Sequence, residues 1–364
     1  MYPHGYRLKQ AASPVTLSNY EQREWDRLQR RKASTIQRKS QRFVPAVARE
    51  RLSDVVDAVK ETPAFAAATE AYANAAKGLG HIIGAAATHT TKPSSVIEKF
   101  QGDGFTVEVL ADIQDLDLEV VDAVVKFNRV RYGHSGTAAL SGVATAGAIT
   151  GAEVWAAKGS ISGEGAKKAP GLGLVATAFT ADVAATFGLA ARTVAATAQY
   201  YGYNPRQPEE QVFMMSVLGL GVAAGAPAKT AAYTELSQLT QLLFRNATWE
   251  KLNEKVLTRI AQQFATKFGM TLTKKKLGQF VPVAGMAVGG VLNFALVSRI
   301  AAAANDAYRE RFLVERSGGG LLDFVGHPDP SSASGDDDNG VIDILREEDV
   351  LPALPAGDAS VYET

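Results

Sequence analysis

Four long uncharged segments, rich in alanine and glycine, constrain the fold of this 364-residue chain more than any other feature. They are residues 132–152, 171–191, 211–228 and 277–298, and Asp182 is the one Asp, Glu, Lys or Arg within them. Such segments must be buried, either in a helical domain or in a bilayer, where a spanning helix needs about 20 apolar residues. Small residues dominate them and Gln279 and Pro282 interrupt the last, so they are not typical membrane spans.

Small residues four apart allow helix backbones to approach closely, and this spacing occurs at Gly147 and Gly151 and again at Gly285 and Gly289. We therefore predict an all-α fold, a Gly/Ala-rich helical bundle with tightly packed hairpins. Three settings stay open for it: a wholly water-soluble bundle, a bundle that lies on or partly inserts into a membrane, and a multi-span topology.

Charge is distributed unevenly although the net charge is zero. Residues 1–60 carry 13 Lys/Arg against 6 Asp/Glu, whereas residues 318–364 carry 1 against 11. We predict a flexible amino terminus (1–17), a helical domain (18–317) made of basic amphipathic helices (18–60) and a Gly/Ala-rich core (61–317), and an acidic, mostly disordered tail (318–364). The alternatives for the tail are a passive solubilising segment and a segment that folds onto a partner, such as the basic amino-terminal face of its own chain.

The basic region begins at a capping-box pattern, Ser18 with Glu21, which predicts a helix start. Nine basic residues follow between positions 27 and 51, and apolar residues recur at helical spacing, which indicates an amphipathic cationic helix. Its charges are typical of attachment to an anionic membrane surface or a partner, but a solvated face packed on the domain is equally compatible. No nucleic-acid-binding module accompanies them. The candidate surface residues are Arg27, Arg30, Arg31, Lys32, Arg38, Lys39 and Arg42.

Catalytic motifs are not found. The chain contains no cysteine, which excludes disulfides, thiolate zinc sites and thiol nucleophiles. The nearest approach to a phosphate loop, residues 221–230, places three residues between Gly225 and Lys229, where the loop geometry requires none. The five histidines form no zinc-binding pattern and no serine nucleophile elbow occurs. We expect no cofactor, no metal and, on balance, no enzyme.

Four polar residues are candidates for a ligand site or for structural pairing. Asp182 and Asn293 lie in uncharged segments, where a carboxylate must be paired or protonated and an amide must be hydrogen-bonded. Glu209 and Glu210 follow Pro208 at a predicted helix start, after a helix stop at Gly202, and are equally interpretable as first-turn acids.

Three stretches of the chain resemble the EcsC family of bacterial proteins: AALSGVATAGAITG (138–151), TADVAATFGLAARTVAATAQYYGYNPRQPEE (180–210) and KKKLGQFVPVAGMAVGGVLNFALVSRIAAAANDAYRERFL (274–313). The resemblance extends over roughly residues 20–315. It implies a mostly helical accessory protein linked to a membrane, since the family takes its name from a gene beside those of an ABC transporter, and it supplies no established catalytic site.

Two functions follow as hypotheses. The first is a non-enzymatic, membrane-peripheral accessory protein that binds an anionic membrane surface or an integral membrane protein. The second is a soluble enzyme or a binder of a small, lipid-like ligand, with a pocket between the hairpins near Asp182 and Asn293. The first 20 residues contain no apolar export signal, so we expect a cytoplasmic protein, peripheral at the inner face of the cell membrane in the first case.

Overall fold

The structure is a computed structural model that describes about half of the chain. For residues 170–183 and 285–292 it gives the helical backbone without side-chain surroundings. The predicted residues Arg38, Lys39, Arg42, Gly147 and Gly151 lie outside the described residues. The described residues are 16–37, 92–127, 170–223, 225–245, 256–261 and 285–321, with the single positions 133, 137, 252, 264 and 345.

Helices are the regular elements of the described residues, and no strand occurs among them, so the predicted all-α class is confirmed. The α-helices are α1 (Asn19–Gln37), α2 (Pro93–Gly102), α3 (Leu118–Val125), α4 (Pro170–Tyr200), α5 (Pro208–Val222), α6 (Ala226–Phe244) and α7 (Gly285–Arg316), and a 3-10 helix spans Leu110–Asp115.

Helix α1 begins at the predicted capping box. The Glu21 backbone N–H donates to Ser18 Oγ at 3.2 Å, and the Ser18 backbone N–H donates to Glu21 Oε2 at 2.9 Å. Two backbone donors that the helix itself cannot satisfy therefore find partners in side chains. This local pairing fixes where the basic helix starts.

The turn between α4 and α5 also follows the sequence. Helix α4 ends at Tyr200, Gly202 adopts a positive φ of 86°, and α5 begins with Pro208 at its first turn. A Cβ on Gly202 would lie 2.7 Å from the Leu110 carbonyl oxygen. Glycine is required here twice over, because other residues rarely adopt this backbone conformation and no side chain fits.

Helix α7 is the central element. It packs mainly against α4 and α5, α5 in turn packs against α6, and α1 lies across α3, α6 and α7. At the α5–α7 contact, a Cβ on Gly221 would lie 2.5 Å from Ile300 Cγ1 and 2.9 Å from Ile300 Cα. Close packing of helices at a small residue therefore occurs, although at a glycine that the spacing rule did not select; Gly285 and Gly289 lie in the part of α7 described by its backbone alone.

Membrane crossing was one of the predicted alternatives. Among the residues that the structure describes, no helix combines the length and the apolar character that a bilayer span requires.

Candidate functional site

The carboxyl-terminal half of α7 places charged side chains inside the domain. Arg309, Glu310 and Arg311 are each less than a tenth exposed, and the side chain of the preceding Tyr308 is fully buried. Burying unpaired charges is costly, so each must find a partner on another element. The partners come from α1, α3, α5 and the turn after α4, as described next.

Arg309 joins three of these elements. Its Nη1 donates to Glu24 Oε2 on α1 at 2.7 Å, its Nη2 donates to the Asp122 carboxylate on α3, and its Nε donates to the Tyr201 hydroxyl oxygen at 3.2 Å. The Tyr201 hydroxyl donates in turn to Asn305 Oδ1 at 2.9 Å. A single guanidinium thus ties the amino-terminal helix, α3 and the α4–α5 turn to α7.

The carboxylate of Asp122 is held in an environment that disfavours its charge. Burial raises the pKa of Asp122, although the neighbouring Arg309 and a hydrogen bond from the Tyr20 hydroxyl at 2.7 Å act in the opposite direction. Burial also raises the pKa of Tyr201 to about 12. Burial and the neighbouring Asp122 raise the pKa of Tyr20 as well, so both tyrosines are protonated donors at neutral pH.

A second cluster surrounds Glu210, which is 1% exposed. Its Oε1 accepts a hydrogen bond from the Tyr308 hydroxyl at 2.6 Å, and its Oε2 accepts one from Arg311 Nη1 at 2.8 Å. Arg311 also donates to Glu315 at 2.8 Å, and its guanidinium carbon lies 3.9 Å from the ring centre of Tyr203. Burial alone would lower the pKa of Arg311, but Glu210 and Glu315 more than offset it and raise that pKa, so the arginine stays charged.

Glu21 closes the network at the end of α7. Besides its role in the capping box, its fully buried carboxylate accepts a hydrogen bond from the Leu118 backbone N–H at 3.2 Å and forms an ion pair with Arg316. The same side chain therefore starts α1, holds the first turn of α3 and fixes the last residue of α7. Chemically, the network is a set of ion pairs and hydrogen bonds that joins α1, α3 and α5 to α7.

Beside this network, the described residues provide a cavity but no metal centre. No group of three or more His, Asp or Glu side chains within metal-binding reach occurs among the described residues. A cavity of about 490 Å³ lies at the ends of α2, α3 and α4, where Lys99, Lys126 and Tyr200 form part of its lining. The Lys99 ammonium already donates to the Tyr200 hydroxyl oxygen at 2.9 Å.

The predicted polar candidates occupy separate places. Glu210 belongs to the buried network, Glu209 is half-buried in the first turn of α5, and Asn293 is fully buried on α7. Asp182 lies on α4 where only the backbone is described. Asn293 does not line the cavity described above, so the predicted pocket beside Asp182 and Asn293 stays a prediction.

The residues of the predicted basic surface that the structure describes fall into an inward-facing and an exposed group. Lys32 points inward: its Nζ donates to Glu310 Oε1 at 3.0 Å and lies 5.1 Å from the ring centre of Tyr233. Arg31 pairs with Asp306 at 3.1 Å and is partly exposed. Arg27 and Arg30 are exposed, and Arg23, which lies before the predicted basic stretch, is exposed with them. These three positions, spaced by four and three residues, share one outer face of α1, which we call the arginine face.

Sequence reasoning missed the main members of the network, namely Glu24, Asp122, Tyr201, Arg309 and Arg311. One signal was present: four polar or charged residues in a row, 308–311, continue a long apolar helix, so at least one of them had to point inward. Which partners they meet depends on residues up to 285 positions away. No local pattern identifies them.

Comparison with known proteins bears on the same region. Residues 161–313 match the model of the EcsC protein family. Over residues 161–313, which we call the EcsC region, the chain is similar to this family. Within it lie Tyr201, Glu210 and the charged run of α7, whereas Glu21 and Glu24 precede it. The EcsC region therefore supplies one half of the buried network, and the preceding helices supply the other.

One relative is similar in sequence. The uncharacterized protein YdbA of Bacillus subtilis (strain 168) is 30% identical over 148 residues, which cover 40% of this chain and 51% of YdbA. The chain thus spans about half the length of this curated relative. No solved structure matches the chain.

Proposed function

We propose that this protein is a non-enzymatic, membrane-peripheral accessory protein whose arginine face binds anionic surfaces. The observation that supports the proposal is the orientation of α1. Its inner face is fixed by Glu21, Glu24 and Lys32, all of which pair with residues of α7. The arginine face is consequently presented outward in one fixed orientation.

The expected strength of this interaction is moderate. Each basic residue close to an anionic membrane contributes about 1 kcal/mol to binding. Salt at 0.1 M screens the attraction between charges more than about 10 Å apart. Three arginines, opposed by the exposed Asp26 on the same helix, provide reversible binding and not stable anchoring. An accessory role beside a membrane transporter or in an envelope process is the part of the proposal that comes from the family resemblance.

Vesicle co-sedimentation tests the proposal. The full chain should bind vesicles rich in phosphatidylglycerol at low salt, bind pure phosphatidylcholine vesicles poorly, and dissociate as salt is raised. The double charge reversal R23E/R30E should reduce the affinity at least tenfold, because it removes two attractive charges of about 1 kcal/mol each and adds two repulsive ones.

The matched control is R192E/R299E, which makes the same charge change at exposed helical arginines of α4 and α7. It should retain most of the affinity. If the parent chain fails to bind anionic vesicles at low salt, or if both double variants lose binding equally, the arginine face is not a membrane-binding surface.

A further inference from the structure

Leu345, a single described position within the acidic carboxyl-terminal stretch, is buried in the body of the protein. Its side chain has 0% exposure and belongs to the hydrophobic core that all the described helices share, α1 among them. Residues 322–344 separate it from Leu321, where the continuously described body ends. Removing a leucine side chain from water is favourable, so Leu345 is held in place by the hydrophobic effect.

The chain around this anchor is strongly acidic. Asp343 precedes Leu345, the run 347–349 is Glu-Glu-Asp, and the run 336–338 is Asp-Asp-Asp, whereas Arg346 is the one basic residue of the whole 318–364 stretch. Leu345 lies nine positions after Asp336, and nine residues of fully extended chain span about 30 Å. Helix α1, with 19 residues, is about 28 Å long. In extended form, the chain from Asp336 to Leu345 is therefore as long as α1.

We propose that the acidic segment 336–349 occupies the arginine face of α1 and competes there with other anionic surfaces. Charge complementarity supports this occupant, since the arginine face is basic and the segment carries seven acids against Arg346. Tethering supports it as well, because a ligand on the same chain has an effective concentration in the millimolar range. The competition with membranes rests on the proposed function, whereas the docking itself does not.

A distance measurement tests the docking directly. Because the chain has no cysteine, A33C and N339C give a unique pair of spin labels in the full-length protein, one on the exposed side of α1 and one between the acidic runs. We expect a short, narrow distance distribution. It should lengthen and broaden in R23E/R30E and in D336N/D337N/D338N, and stay unchanged in R192E/R299E. The neutralised triple variant keeps Leu345, so its effect does not come from loss of the buried leucine.

Vesicle binding then tests the competition. D336N/D337N/D338N should raise the affinity for phosphatidylglycerol vesicles severalfold, and the gain should disappear when R23E/R30E is added. If neither the distances nor the affinity respond to the acidic substitutions, the proposal is wrong. A short distance that appears only at high protein concentration would mean that the acidic segment of a second copy binds the arginine face. That result would also contradict the proposal.

The two proposals fail in different ways. If the labels are close and separate as expected but no variant binds vesicles, the docking stands and the membrane role fails. If the parent chain and the acidic variant bind vesicles equally and the label distances are also unaffected, the membrane role stands and the docking fails.

Discussion

Glu210 satisfies two groups of α7 at once, since its two carboxylate oxygens accept hydrogen bonds from Tyr308 and Arg311. All three side chains are less than a tenth exposed. In a buried site of this kind, forming the ion pair contributes little net stability, whereas breaking it costs much more. Removing one member leaves the other charged and buried, which destabilises the fold more than replacing both members by apolar residues would.

The isosteric substitution Glu210→Gln should therefore lower the free energy of unfolding by about 3–5 kcal/mol, because the charge of Arg311 loses its main partner. Urea unfolding followed by circular dichroism measures this difference. Glu209→Gln is the matched control at the adjacent position, where the side chain is half-buried and forms no such buried pair with another described residue. Equal losses in the two variants would mean that the first turn of α5, and not the buried pair, determines the effect.

Glu209 should instead appear in the pH dependence of stability. Burial raises its pKa above the usual 4.5, and the charge of Glu210 acts in the same direction, so the folded state holds this proton more tightly than the unfolded state does. The stability that the protonated group contributes is present below the usual pKa and is lost as the pH rises through the raised folded pKa. The Glu209→Gln variant should show a smaller fall in unfolding free energy across this window. Parallel curves for the variant and the parent chain would contradict the assignment.

At the scale of helices, the α5–α7 contact depends on one missing side chain. Gly221 lies so close to Ile300 that an added Cβ would come within 2.9 Å of the Ile300 Cα. Backbone atoms of a packed helix cannot yield as a flexible side chain can. Gly219, two residues earlier on α5, differs in this respect, because among the described residues its added Cβ would meet only the Phe264 ring, at 4.0 Å.

Two alanine substitutions on α5 should consequently have opposite signs. Gly221→Ala should destabilise the protein by about 1–3 kcal/mol, through overpacking against α7. Gly219→Ala should be neutral or stabilise it by up to about 1 kcal/mol, because alanine loses less conformational entropy in a helix than glycine does. Thermal unfolding of the two variants beside the parent chain measures both. A stabilising Gly221→Ala would show that the two helices are farther apart than described.

The boundaries of these helices could be predicted wherever the signal is local. The capping box at Ser18 and the proline start of α5 depend on contacts within three or four residues, so the sequence pattern contains them. The close α5–α7 contact could be predicted only in kind: small residues indicated that helices approach closely, but Gly221 became the point of contact because Ile300 lies opposite it.

At the scale of the whole molecule, the buried network makes the EcsC region depend on the helices that precede it. Arg309 pairs with Glu24 and Asp122, which are 285 and 187 residues away along the chain. Composition can predict that an arginine in an apolar helix needs partners, but not which carboxylates the fold will bring to it. The sequence therefore indicated the arginine face in part and left the network unidentified.

Substitution of Arg309 by methionine should loosen the amino-terminal helix before the rest of the domain. Glu24, which is buried, would then keep Arg27 as its cation, and the partly exposed Asp122 would lose Arg309, at a total cost of about 1–3 kcal/mol. Glu24 lies on α1 and Asp122 accepts a hydrogen bond from Tyr20 of α1, so α1 is the element that both carboxylates hold. Hydrogen exchange should rise sharply across residues 19–37 while amides of α5 keep their protection. Arg299→Met, at an exposed position of the same helix, should change neither. Because protonation neutralises the two carboxylates that lose Arg309, the loss of unfolding free energy in Arg309→Met should become smaller at acidic pH. A loss that does not depend on pH would show that Arg309 acts by packing and not by charge. A decrease in hydrogen-exchange protection spread evenly over α1 and α5 would show the same.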